Sequence, residues 1–308
     1  MGKTGTMLPE IRRSFLLVLF AAVLWRGGTE VPAGAALKVT HEARSLRPGE
    51  VVLLKVESPR PLRRLEVAVF EREFPAFTDG DGLTWTSLVG IDLDTRPDRY
   101  TVKISGYGSN GNPVTGQDTL IITPRKFPTR HLTVDERYVS PPPELLARIK
   151  EESEKVRAIF DSVSRQRYWS APFEVPVPGP PISSFGTRSV YNRQPRSPHS
   201  GTDFRGAAGT PVRAPNAGKV VLAADLYYSG NTLILDHGFG LYSYFGHLSA
   251  FSVQEGDRVN AGQVLGKVGA TGLATGPHLH WAVRLVGTRV DPLSLLGLLG
   301  QRQQDVRP

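Results

Sequence analysis

The sequence predicts an all-β protein of two β-rich parts joined by a single helix, and three observations predict it. From Leu37 to about Ile122, short apolar or alternating runs are broken repeatedly by turn residues, the pattern of half-buried strands. Only Glu144–Val163 carries apolar residues at helical spacing, with Leu145, Ile149, Val156, Phe160 and Val163 separated by charges. From Ala171 onward, short β-prone runs resume, with glycines at almost every junction. The expected organisation is an export signal over 1–35, an immunoglobulin-like β-sandwich over 37–128, a linker with an amphipathic helix over 129–171, an antiparallel β domain over 172–300, and a tail at 301–308.

At the amino terminus, Lys3, Arg12 and Arg13 precede the apolar run Phe15–Trp25 and then Ala33-Gly34-Ala35. That run is shorter than the ~20 residues of a spanning helix and suits the ~7–15 of a secretory signal. Cleavage is expected after Ala35, and membrane association only if the signal is retained. In the first β part the expected strands are Val51–Val56, Leu65–Phe70, Thr84–Ile91, Tyr100–Ile104 and Thr119–Ile122. Arg47-Pro48-Gly49, Ser58-Pro59, Asp79–Gly82 and Ser109–Pro113 supply turns between them. Six or seven short strands in such a length argue for the sandwich. After Pro124 the chain reads as irregular as far as Pro141-Pro142-Pro143, where proline suits a helix start and Ser140 is a candidate cap. In the second β part, strands are expected at Pro211–Ala214, Lys219–Ala224, Thr232–Asp236, Leu241–Phe245, Gln263–Val268 and His280–Leu285, with no long helix.

Cysteine is absent, which excludes a disulfide framework, thiol chemistry, a Cys-ligated metal and a lipoprotein anchor. Any metal must be held by His, Asp or Glu. The formal net charge of +8 suits an anionic partner such as an acidic polymer or membrane surface. Basic residues form no long runs and no nucleic-acid module signature occurs, so no nucleic-acid partner is expected.

The chemistry gathers on the histidines, five of whose seven lie in the second β part. In Gly272–Ala282 a glycine-rich approach ends in His278-Leu279-His280. On a strand, successive side chains alternate, so His278 and His280 share a face. His199 stands four residues before Asp203, a spacing that lets both reach one ion. With one of the His278/His280 pair they form two His and one carboxylate. Three protein ligands with a fourth position left for water characterise a catalytic zinc site. His247, in Tyr244-Phe245-Gly246-His247-Leu248-Ser249, joins the set. His237 before Gly238 reads as a structural histidine, His41 and His131 as incidental, and Tyr244 as a candidate lining of a substrate groove. Arg188, Arg193 and Arg196 could meet substrate carboxylates or simply be surface residues.

Over roughly Phe173–Leu296 the chain resembles the lysostaphin/LytM-type zinc endopeptidases, hydrolases of peptide bonds in bacterial peptidoglycan. The resemblance rests on Ser183-Ser184-Phe185-Gly186, His199–Asp203, Gly209-Thr210-Pro211-Val212, Gly230-Asn231-Thr232, Asp236-His237-Gly238, Tyr244–Ser249, Gly256–Val259, Gly262-Gln263 and Thr271–His280. It implies one zinc ion per chain, bound by His199, Asp203 and His280, with His247 and His278 as the unliganded catalytic pair. It further implies peptidoglycan as substrate and a periplasmic, envelope or secreted location. Two alternatives compete. A non-hydrolytic binder or activator of another hydrolase should lack some of these five residues, and all five are present. A biotinyl- or lipoyl-type carrier is suggested by Gly256–Val259 with Gly262–Gly266, but Lys219 and Lys267 lack the required hairpin setting.

Overall fold

The computed structural model of the protein describes residues 1–2, 36–109, 111, 113–134, 136 and 139–300. The fold below lies in the compact unit Gly34–Pro308. The expected signal, beyond Met1 and Gly2, and the expected tail lie outside the described residues. Among the described residues, no helix is long and apolar enough to cross a membrane.

The first β part comprises β1 (Lys38–Ala43), β2 (Val51–Glu57), β3 (Arg64–Val69), β4 (Arg72–Phe77), β5 (Thr84–Gly90), β6 (Arg99–Tyr107) and β7 (Pro113–Ile121). They pair in the order β1-β2-β5-β4-β3-β6-β7, antiparallel throughout. Taken as β1-β2-β5-β4 and β3-β6-β7, this is the strand order of a seven-strand immunoglobulin sandwich. β4 hydrogen-bonds to both β5 and β3, joining the two halves. β2 shows why these residues make strands: Leu54 and Val56 are buried while Lys55 and Glu57 are exposed. The inward residues Leu54, Val67, Trp85, Ile104 and Leu120 fill the core. Sequence pattern misses β1, an edge strand with no buried residue, and β4, where only Phe74 is buried. It also starts β7 six residues late, because Pro113–Asp118 carries no buried side chain and is held by its ladder to β6.

The remainder comprises β8 (Thr129–Leu132), α1 (Leu146–Asp161), β9 (Pro181–Ser183), β10 (Arg188–Tyr191), β11 (Gln194–Pro195), β12 (Thr202–Arg205), β13 (Pro211–Arg213), β14 (Gly218–Leu226), β15 (Gly230–Gly238), β16 (Leu241–Phe251), β17 (Arg258–Val259), β18 (Val264–Val268), β19 (His278–Leu285), β20 (Thr288–Val290) and α2 (Pro292–Leu299). Ten of these strands form one sheet along the path β17-β14-β15-β16-β19-β12-β9, with β18 paired to β16, β13 to β18, and β20 to β19. Two expectations change. The stretch after Pro124 is not wholly irregular: β8, four exposed residues without a burial signal, runs parallel to β10, and the Asn192 side chain clasps both backbone polar groups of Val134. Ser140 does not cap the helix; its hydroxyl donates to Glu136, and a 3-10 turn at Pro143–Leu145 leads into α1. The leucine-rich α2, eight residues long, is too short and too uniformly apolar to show a period.

The helix expected as a linker packs onto one face of the ten-stranded sheet. Its Phe160 is buried with Leu222, Leu226, Ile234 and Tyr242. Near its other end, Arg148 reaches Asp225, and Glu152 accepts from the Tyr227 backbone N–H. This docking covers β14–β16 and reaches Arg284 of β19 through Phe160, leaving the His278 and His280 end of β19 uncovered by the helix.

His237 is fully buried and behaves as the structural histidine expected of it. Its Nδ1–H donates to Ala217 O at 2.8 Å, so Nε2 is left to accept from Ser243 Oγ at 2.9 Å. Burial holds its pKa down to about 4, against 6.5 unperturbed. The unfolded chain therefore takes up a proton here before the folded one does, and stability present above pH 6.5 is lost as pH falls toward 4. We expect the unfolding free energy to drop across that window, by roughly 3 kcal/mol for this residue alone. Urea titrations at pH 7, 5.5 and 4.5 on the wild type and on His237→Gln measure it. A curve equally steep without the imidazole would assign the loss elsewhere.

Candidate metal centre

β19 lies between β16 and β12, and the register of the three strands builds the site. His280 stands opposite Asp203 on one side and Gly246 on the other, and His278 stands opposite Arg205. Because alternate residues share a face, Leu279, Trp281 and Val283 enter the core while His278 and His280 face out beside Asp203. His199 precedes β12 and is fixed by main-chain bonds to Thr187 and Gly186. Gly201 between the two ligand candidates has a steric reason: a Cβ there would sit 2.6 Å from Trp281 O and 2.8 Å from His280 Cε1.

Three potential ligand atoms converge. His199 Nε2 is 3.0 Å from Asp203 Oδ1, His280 Nδ1 is 2.9 Å from the same oxygen, and the two nitrogens are 3.0 Å apart. Bonds of ~2 Å to a tetrahedral ion would place ligand atoms ~3.3 Å apart, so this triangle is close to the size that zinc requires. The donor chemistry also fits. His199 gives its Nδ1–H to Ser184 O at 3.0 Å, which leaves a lone pair on Nε2 in the neutral ring. Burial alone would raise the Asp203 carboxyl, yet hydrogen bonds and charge from His199 and His280 outweigh it and hold the group well below the carboxylate range. Burial pushes His280 down, against the pull of Asp203. An ionised carboxylate and two imidazoles thus face one point, as a divalent cation needs. Among the described residues, these three form the cluster able to hold a metal.

His247 and His278 sit beside this triangle with rings 4.8 Å apart, and the His247 ring is 6.1 Å from that of His280. His278 Nε2 lies 3.9 Å from Asp203 Oδ1. Each donates Nδ1–H to a backbone carbonyl, His247 to Thr271 at 2.9 Å and His278 to Gly276 at 2.8 Å. Their Nε2 atoms are thereby left to work in the site. His247 is placed by a corner in β16, which pairs with β19 as far as Gly246 and with β18 from Leu248. At the corner His247 adopts a left-handed backbone, φ 64°, a conformation costly for a non-glycine residue and typical of functional positions. Its N–H to Ser229 O, 2.7 Å, secures it. Burial, with the charge of His280 next, holds His247 down to about 4, so it is neutral at pH 7.

Tyr244 lies beside the centre, its ring 6.1 Å from that of His280, and its hydroxyl donates to Ser229 Oγ at 2.5 Å. Arg188, Arg193 and Arg196 are on or beside the β10–β11 hairpin and outside the cluster; Arg196 stacks over Tyr191. His41 pairs with Asp118 on the first β part, and His131 is an exposed residue of β8. Sequence reasoning singled out neither Thr271 nor Arg284. Thr271 holds His247 through its carbonyl and Asn231 N–H through its hydroxyl, and a carbonyl has no sequence signal. Arg284 had one: it is four residues past His280, on the same face of β19.

Comparison with known proteins gives the family. Peptidase family M23 matches residues 197–292, which enclose all five candidate residues. DD-carboxypeptidase/endopeptidase Mpg of Neisseria meningitidis is 42% identical over 97 residues, 32% of this chain and 22% of that protein. Peptidoglycan DD-endopeptidase ShyA of Vibrio cholerae is 38% identical over 112 residues, 36% of this chain and 26% of that protein. The chain thus spans about a quarter of the length of these curated relatives. A crystal structure from Pseudomonas aeruginosa assigned to peptidase M23 superposes with TM-score 0.65 at 33% identity, over 83% of this chain and 96% of that one. Sharing nearly the whole length of that structure, and carrying the family match across its His and Asp cluster, the chain belongs to peptidase family M23.

Proposed function

We propose that the protein is a zinc-dependent endopeptidase hydrolysing peptide cross-links or stem peptides of bacterial peptidoglycan. One zinc ion per chain is held by His199, Asp203 and His280, and His247 and His278 are the catalytic pair. The observation that carries this reading is the convergence of two imidazole nitrogens and an ionised carboxylate within 3.0 Å of one another. Zinc in such a site polarises the scissile carbonyl and brings the pKa of its water toward ~7. His247, neutral and with Nδ1–H committed to Thr271, is suited to accept a proton at Nε2. His278 is oriented in the same way by Gly276. Between them the two rings can take a proton from the nucleophile, pass it to the departing amine and steady the developing oxyanion. Tyr244 lines the approach of the peptide.

The domain division accompanying this reading is 37–128 as an immunoglobulin-like module, 129–171 as a connecting segment and 172–300 as the peptidase. The substrate class places the protein outside the cytoplasmic membrane, consistent with the export signal expected over 1–35. Its net charge of +8 would draw it to an acidic envelope.

The test is digestion of purified peptidoglycan by the chain from Ala36. We expect cut peptide bonds, named by the fragment masses after the glycan strands are digested with a muramidase, together with loss of cutting after chelation and recovery on adding zinc. A zinc-loaded chain that binds peptidoglycan without cutting it would transfer the assignment to a non-hydrolytic binder or activator.

A further inference from the structure

The face of β19 that carries His278 and His280 continues through Ala282 to Arg284, and β16 sets Tyr244 and Tyr242 opposite those two residues. α1 closes over this continuation without filling it. A cleft of about 550 Å³ remains, lined by Tyr244, Ser229 and Arg284 from the sheet side and by Arg157 and Phe160 from α1. None of the five candidate site residues lines it; Tyr244 borders the cleft, and its ring lies 6.1 Å from that of His280.

Arg284 is the unusual group in this cleft. Its guanidinium lies over the Phe160 ring at 5.2 Å, and Nη1 donates to the carbonyls of Ser200 at 3.2 Å and Val283 at 3.4 Å. Among the described residues no carboxylate lies within ion-pair distance of it. Burial, and next the charge of Arg289, hold it down to about 10, still cationic at neutral pH. The other charges of the cleft are differently placed. Arg289 is matched by Asp92 and Asp94, and Glu152 is engaged by Arg148 and Tyr227. Asp161 lies at the Gly287 end, and Arg157 on the rim adds an exposed cation. A partly buried arginine whose opposing charge, Asp92, acts only from beyond ion-pair distance is a costly feature in a structural role, and its planar fork of donors matches a carboxylate.

We propose that this cleft receives the substrate peptide beyond the scissile bond and that Arg284 binds a free carboxylate of that peptide. The inference rests on the hydrolase reading above and extends it to specificity. Arg284 stands four positions along the strand from His280, about 13 Å at ~3.3 Å per residue, so the carboxylate lies within about four residues of the cut. Peptidoglycan stem peptides carry such groups on D-glutamate, on diaminopimelate and at the chain end. α1 is then a wall of the subsite as well as a structural cover.

The experiment uses the zinc-loaded chain from Ala36 and a cross-linked stem-peptide dimer, compared with versions amidated at one carboxylate at a time. Calorimetry gives the affinity of each, and product analysis gives kcat and KM. We expect one amidation to weaken binding by 10-fold or more and to raise KM without lowering kcat. In Arg284→Gln that acid and its amide should bind alike, whereas Arg284→Lys should keep part of the preference. Zinc content is measured on every variant, because a merely structural effect through Ser200 would lower affinity for all probes equally. Equal binding of every probe by the wild type, absence of binding, or undiminished discrimination in Arg284→Gln would each overturn the proposal. If Arg284→Gln does not fold, the wild-type comparison of acid with amide still decides. Discriminating binding without hydrolysis would sustain the subsite and remove the hydrolase assignment.

Discussion

The Asp203→Asn chain is expected to fold normally and to lose both bound zinc and hydrolysis. The side chain is 14% exposed, and the exchange is isosteric, so packing changes little. The core-facing neighbours in β12, Thr202 and Phe204, are untouched. Electrostatics change greatly: the carboxylate oxygen that faces His199 Nε2 at 3.0 Å and His280 Nδ1 at 2.9 Å is replaced by a neutral amide. Two neutral imidazoles then remain to balance a divalent cation in a site largely closed to water. Loss of a partner that only orients a ligand costs ~10–100-fold in metal affinity or activity, and loss of the ligand charge itself should exceed that. Elemental analysis after dialysis should fall from one zinc per chain to less than a tenth, with hydrolysis reduced more than 100-fold and the melting curve retained. Zinc at full occupancy with activity within 10-fold of wild type would remove Asp203 from the ligand set. Asp257→Asn, in the turn before β17 and bonded to Gln254 N–H, serves as the control that should change neither quantity.

What sequence makes legible is set by which interactions are periodic along the chain. β3 and β6 announce themselves because buried residues alternate with more exposed ones, and α1 because its apolar residues recur at helical spacing. The candidate site residues could be picked out for the same reason. His278 and His280 are two apart on a strand, and His199 and Asp203 are four apart leading into its neighbour. β8 is held by pairing and by the Asn192 side chain rather than by burial, so its residues look like loop. The left-handed corner at His247 and the carbonyls of Thr271, Gly276 and Ser184 that fix the imidazoles belong to main-chain geometry. Residue types do not encode these directly. Arg284 illustrates the intermediate case: its face could be counted from His280, but its distance from an opposing charge depends on how α1 and β20 fold around it.

Asp291→Ala should lower the stability of the whole chain markedly while leaving the metal centre intact. Asp291 and Glu50 have side chains only 5% and 3% exposed, and Arg44 and Arg125 each bridge both of them. The hub spans the chain: Glu50 adjoins β2 of the sandwich, and Asp291 links β20 to α2. Ser294 Oγ donates to Glu50 and accepts from Val51 N–H, while Asp291 N–H donates to Gly49 O. Asp291 also caps α2, accepting from Leu293 N–H at 3.0 Å. Alanine removes the cap and the charge together and leaves Glu50 to hold two arginines. Breaking a buried pair costs ~3–5 kcal/mol and losing a cap ~1 kcal/mol. Arg44 is 40% exposed and Arg125 22%, so both regain some water, and we expect a net loss of about 3 kcal/mol, near the low end. At ~2–4 °C per kcal/mol for domains of this size, the midpoint should fall by ~6–12 °C. Asp291→Asn, which keeps an acceptor for the cap, should lose less, and the difference between the two variants isolates the cap. A midpoint within 2 °C of wild type for Asp291→Ala would mean that the contacts it leaves in place, Ser294 with Glu50 and Arg289 with Asp92 among them, suffice to fasten the two β parts together. Zinc content should stay at the wild-type level in both variants, because β20 meets β19 at Val283–Leu285, beyond the candidate metal-binding residues.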